Sequence, residues 1–144
     1  MRTSFWPAVV LVLAGAVLTG ACGSGDSDQA RHLAREACAT YEMFVPADLI
    51  TPEDRETAHR RVVPALEESS RLAAHAARLD PDWQELALGL SRLAEQTSAS
   101  LELADLQARD ASDGTGEADE LQARILNLGG EVDAHDPRTQ CQKV

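Results

Sequence analysis

The stretch PDWQELALGLSRLAEQTSASLELADLQAR, residues 81–109, decides the fold. Within it Trp83, Leu86, Ala87, Leu90, Leu93, Ala94, Thr97, Leu101 and Ala104 recur at steps of three and four, so on a helix they share one face. After Pro81 the stretch contains no further proline, and the rhythm predicts one long amphipathic helix reaching about Arg109. Pro81 suits the first helical turn, where its missing N–H has no partner to lose. It also drives Asp80 out of helical dihedrals, so a preceding helix has to stop near Leu79.

That preceding helix starts at Thr51-Pro52-Glu53-Asp54, which supplies a capping hydroxyl, a first-turn proline and acids facing the positive end of the helix dipole. Its inward face carries Val62, Leu66, Ser69, Ala73 and Ala76. Pro64 falls inside it, frees the carbonyl of Arg60 and predicts a kink. Further upstream, Ala30, Leu33, Ala34, Ala37, Cys38, Tyr41 and Phe44 form the stripe of a first helix, with Asp26, Ser27 and Asp28 as candidate caps and Pro46 ending it near Val45. Downstream, Ala-Ser-Asp-Gly-Thr-Gly at 111–116 is a loop, followed by a fourth helix with Ala118, Leu121, Ile125 and Leu128 inward. Gly129-Gly130 most simply ends this helix, since two internal glycines cost about 1 kcal/mol each, although Val132 continues the spacing toward His135. Pro137 stops it in either case.

No alternating strand pattern of useful length occurs, so the expected class is all-α. Four helices with short connections predict an up-down-up-down bundle with a kinked second helix, in which the fourth helix lies beside the first. On the third helix Leu88, Leu103 and Leu106 sit about 140° to 200° from Trp83. Either this helix is central and meets neighbours on two sides, or the three leucines form a docking strip for a partner protein.

The first 21 residues have the zones of an export signal: Met1-Arg2-Thr3-Ser4 with one positive charge, an apolar run from Phe5 to Leu18, then Thr19-Gly20-Ala21. As a helix the 14-residue run spans roughly 21 Å against about 30 Å of bilayer hydrocarbon, too short for a permanent span. Thr19-Gly20-Ala21-Cys22, preceded by Leu18, resembles the lipobox of bacterial lipoproteins, with Thr19 where that family usually has leucine. The resemblance covers residues 1–22 and implies that Cys22 receives a diacylglyceryl group and becomes the first residue of the mature chain. Gly-Ser-Gly-Asp-Ser-Asp then reads as a flexible tether over 22–28, leaving 29–144 as one bundle domain.

Without the leader the chain carries 12 basic and 24 acidic side chains, a formal charge of −12. Such a surface is repelled by nucleic acid and by anionic head groups, so nucleic-acid binding is not expected. Over the full chain, twelve arginines against one lysine and 24 alanines fit translation from a GC-rich genome. In an exported protein the two remaining cysteines, Cys38 and Cys141, are expected to form a disulfide: neither lies in a C-x-x-C, and zinc would need further ligands beside them. With so few aromatics in the mature chain, Tyr41, Phe44 and Trp83, such a staple has much to contribute.

Chemistry is sparse. Glu56 and His59 have the Glu-x-x-His spacing of bundle metal sites, but no second copy exists. Glu131 with His135 and His32 with Glu36 read as solvated helix surface. No Gly-x-Ser-x-Gly turn is present, and the adjacent acids Glu67-Glu68 and Asp119-Glu120 diverge by about 100° on a helix. The expectation is a non-enzymatic, lipid-anchored extracytoplasmic module, without cofactor or metal, that binds an envelope protein or serves a structural role. The alternative is a carrier holding a small apolar ligand between helices, near the Pro64 kink, Ser69 and Ala73.

Overall fold

The computed structural model describes residues 23–44, 52–109 and 116–144, and among these no strand occurs. The leader, Cys22, the Pro46 stop and the 111–115 part of the loop lie outside the described residues. Helix α1 is Gly23–Phe44, α2 is Pro52–Thr57, and a π-helical segment, Ala58–Val62, joins α2 to α3, Val63–Leu79. A 3-10 turn, Pro81–Trp83, opens α4, Gln84–Arg109; α5 is Gly116–Ala134 and the short α6 is Pro137–Cys141. Taken as rods, α1, the α2–α3 continuum, α4 and α5 make the all-α bundle of four helices that the periodicity predicts.

Pro64 acts as expected, though its outcome is a change of winding. The chain passes through five residues of π-helix just before α3, which absorbs the hydrogen bond that the proline nitrogen cannot donate. Val62, Leu66, Ser69, Ala73 and Ala76 are all buried, joined by Ala58 and Ala65. At the next break, Asp80 is extended (φ −146°, ψ 114°), and its carboxylate accepts the N–H of Asp82 to cap the turn that Pro81 opens.

The core is one cluster shared by α1, the α2–α3 rod and α4. Ala30, Ala34, Ala37, Cys38 and Tyr41 meet Leu66, Ala73 and Ala76, with Trp83, Leu86 and Leu90 from the third rod. Alanine lets the α1 and α3 backbones approach closely, while Leu66, Leu86 and Leu90, all fully buried, supply most of the volume. Each such leucine contributes about 1.5–3 kcal/mol relative to an exposed one.

Three expectations change. The stretch read as a tether is helical from Gly23 onward, so α1 begins with exposed turns over residues 25–29 and Asp26 faces the dipole in its first turn. Gly129-Gly130 does not end α5, which runs through to Ala134. Packing overrides propensity there: Leu128 is buried and Val132 half-buried, and a Cβ on Gly129 would lie 3.0 Å from the Gln96 Nε2 of α4. Finally, α5 lies along α4, and α1 and α5 share no substantial interface. Leu121 and Leu128, its buried leucines, stand apart from the main cluster. What joins the end of the chain to α1 is α6.

Candidate functional site

Among the described residues, a groove and the C-terminal tail combine polar groups with shape, and α4 borders both. Its core stripe occupies one side, and a second stripe, Glu85, Gly89, Arg92, Gln96 and Ala99, meets α5. There Arg92 Nε lies 2.6 Å from a Glu131 oxygen and His135 Nδ1 lies 2.5 Å from Glu85 Oε2. These pairs couple early α4 to late α5, so the two helices run antiparallel. Leu103 and Leu106 continue the spacing of this second stripe and are half-buried, whereas Leu88 is 36 % exposed. From Leu88 to Leu103 the helix rises about 22 Å, so the three leucines do not form one exposed strip.

Between α3 and α5, over the outer surface of α4, lies an open groove of about 460 Å³. Glu67 and Arg71 form one wall and Arg124 the other, over a floor that includes Ser91, Ser98 and Glu102. Arg71 is already paired with Glu68, one residue beyond the rim. Carboxylates and guanidiniums thus face each other in nearly equal number, and serine hydroxyls, not aromatic rings, occupy the floor. Such a surface is wet and suits polar contacts. It lacks the enclosed apolar walls that a carrier of an apolar ligand needs. Beside Pro64, in turn, Ser69 and Ala73 are fully buried in packed interior.

The second region is the C-terminal tail. Asp136 caps α6 by accepting the N–H of Arg138 at 3.1 Å and the Thr139 hydroxyl at 2.8 Å. The Thr139 bond is the main reason its carboxyl is held below the usual carboxylate range; partial desolvation opposes this, and the backbone N–H groups and the Arg138 charge assist. Pro137 is fully buried against Gly89, where an added Cβ would come 2.1 Å from the His135 carbonyl oxygen. This is a notch that glycine alone leaves open. Val144 packs on the core cluster, and Cys38 and Cys141 are bonded with their Cα atoms 5.6 Å apart. The sequence-expected disulfide is therefore formed, with the tail folded back to α1.

The remaining sequence candidates separate. Glu56 pairs with Arg60 and not with its neighbour His59, whose Nε2 lies 3.2 Å from Asp105 Oδ2 on α4. Arg55 reinforces that junction by donating to the Ala104 carbonyl at 3.0 Å. His32 and Glu36 pair along α1 at 3.4 Å, both well exposed. Among the described residues no group of three or more His, Cys, Asp or Glu side chains could hold a metal ion, and no helix is long and apolar enough to cross a membrane. Sequence reasoning missed the Gly89 notch and the cross-helix partners of His59 and His135. Gly89, a glycine inside an otherwise regular helix pattern, was the available signal.

By architecture the chain is a four-helix, all-α bundle closed by a disulfide-fastened tail. Compared with protein-family models, with curated proteins and with solved structures, it matches none.

Proposed function

We propose that the protein is a lipid-anchored extracytoplasmic module of the bacterial cell envelope, attached to the membrane through Cys22, that acts by binding an envelope protein or by a structural role and not by catalysis. The observation that carries this reading is Thr19-Gly20-Ala21-Cys22 at the end of a 14-residue apolar run, the pattern that resembles a lipobox. A disulfide between Cys38 and Cys141 supports it, because such bonds persist in oxidising compartments. The acidic composition also supports a role away from nucleic acid and without electrostatic attraction to anionic lipid. With α1 helical from Gly23, an acyl chain on Cys22 would hold the domain close to the bilayer on a short, stiff connection. Leu88 and the polar groove between α3 and α5 are the surfaces offered to a partner, and no observation favours the apolar-ligand carrier.

The test is processing and partition in a bacterial host. The wild-type chain is expected in the membrane fraction, in the detergent phase, and labelled by a fatty-acid analogue. Cys22→Ala should accumulate as an unlabelled precursor longer by the leader. Recovery of a soluble, correctly cleaved Cys22→Ala protein would overturn the anchor, and pull-down with the lipidated protein tests the partner.

A further inference from the structure

We propose that the last ten residues, 135–144, form a strap that reduction releases: α6 packs on α4, the Cys38–Cys141 bond fastens it to α1, and cleavage lets it lift while the core shared by α1, α3 and α4 stays folded. The inference does not depend on the lipid anchor.

Three observations carry it. The strap has few buried anchors of its own, since Pro137 is its one fully buried side chain, Val144 is half-buried, the His135–Glu85 pair is half-exposed and solvent-screened, and Arg138, Thr139, Gln142 and Lys143 are exposed. Fixing ten residues opposes docking with more conformational entropy than two buried side chains offset, so the covalent bond, which keeps the strap at high local concentration, decides its position. The core draws most of its volume from elsewhere: Leu66, Leu86, Leu90 and Trp83 belong to the α3 and α4 rods, while Pro137, Cys141 and Val144 add to its edge. And because α5 shares no substantial interface with α1, α6 is the element that ties the chain end to the first helix. A lifted strap would uncover the Gly89 notch.

The two sulfurs differ in access. Cys38 is 5 % exposed, whereas Cys141 is half-buried. A thiolate of an external dithiol therefore attacks the Cys141 sulfur; the S–S bond breaks, and its electron pair leaves on the Cys38 sulfur, which takes up a proton. The second thiol of the reductant then displaces Cys141 from the mixed disulfide. The dithiol ends oxidised to its own disulfide and the protein ends with two thiols. Reclosure then requires an oxidant.

The experiment takes the full chain in detergent, oxidised or reduced with dithiothreitol and alkylated, and compares amide exchange, tryptic cleavage after Arg138 and far-UV circular dichroism. Reduction is expected to raise exchange in 137–141 and cleavage after Arg138 by about tenfold or more, with exchange in α3 and α4 unchanged and the helical signal largely retained. A double Cys38→Ala, Cys141→Ala variant should behave as released with or without dithiothreitol. Equal strap protection in both redox states overturns the proposal. Loss of all helices on reduction, or a double variant that does not fold, overturns it equally, because the bond would then be a staple for the whole bundle.

Discussion

Helix α4 packs along one face on α3, through which it joins the core that α1 shares, and along another on α5, and the two seams are built from different chemistry. The inner seam buries Trp83, Leu86 and Leu90 against Leu66 and a row of alanines, with almost no polar contact. The outer seam has two buried leucines, Leu121 and Leu128, and is completed by the Arg92–Glu131 and Glu85–His135 pairs at half-exposed positions. Hydrophobic burial scales with area and is lost cooperatively, whereas solvent-screened ion pairs contribute little each. One face of α4 therefore holds the fold, and the other holds an accessory helix.

The largest expected effect is on the inner seam. Leu90→Ala or Leu66→Ala should lower stability by about 3 kcal/mol, within the usual range for a fully buried leucine, and all rods should unfold together in denaturant titrations followed by circular dichroism. On the outer seam Leu128→Ala should cost about 2 kcal/mol, and the loss should be local. Hydrogen exchange should quicken in α5 while α3 and α4 keep their protection. If α5 and the core exchange at one common rate in this variant, the two seams form a single cooperative unit and the contrast is wrong.

A third substitution probes the place where the seams and the tail converge. Gly89→Ala puts a methyl group 2.1 Å from the His135 carbonyl oxygen, so the backbone of the tail has to move. A cost of about 1.5 kcal/mol is expected, as for other overpacked sites, together with faster exchange in α6 in the oxidised protein. The same change at Gly130, where no atom lies within 4 Å of an added Cβ, should stabilise α5 slightly by helix propensity.

The difference between the seams also explains what the sequence made legible. Trp83, Leu86 and Leu90, with the inner face of α3, follow the helical period because burial on one side demands it, and the proline rules located both ends of the α3–α4 junction. Cys38 fell on an inward stripe, so its pairing with Cys141 could be anticipated. The outer seam obeyed no such single rule. Leu88, Leu103 and Leu106 showed that α4 has a second interested face, but Arg92 with Glu131 and Glu85 with His135 are cross-helix pairs set by register, which no local pattern encodes. Gly129-Gly130 misled for the same reason: propensity argues for a stop, while the contact with Gln96 argues for close approach, and tertiary contact prevails. The polar groove is assembled from three rods and had no signature in any of them.

A smaller effect, of opposite sign, sharpens the account of the inner seam. Ser69 is fully buried, and its hydroxyl has no hydrogen-bond partner. A buried, unsatisfied hydroxyl is unfavourable, so Ser69→Ala should raise the denaturation midpoint, by about 0.5–1 kcal/mol in stability. A drop in stability would mean that the hydroxyl serves the packing in a way that the apolar account of this seam does not include.

The smallest effect concerns pH, and it acts on the tail alone. Asp136 is held below the usual carboxylate range chiefly by the Thr139 hydroxyl, so the folded tail favours the ionised form. A depressed carboxyl contributes stability that is complete above its unfolded value, about 3.9, and is lost as pH falls through the lower folded value. The cap of α6 should therefore weaken below about pH 4, while among the described residues the inner seam buries no carboxylate to respond. In an NMR titration the Thr139 amide should shift with an inflection below the ordinary aspartate range. Asp136→Asn, which keeps an accepting cap oxygen but cannot titrate, should flatten that curve and leave α6 in place at neutral pH. Asp136→Ala removes the cap at every pH and should cost no more than about 1 kcal/mol, because the site is half-exposed and solvent screens it. An Asn variant that still shows the wild-type inflection would place the acid response on another group and separate the tail from this cap.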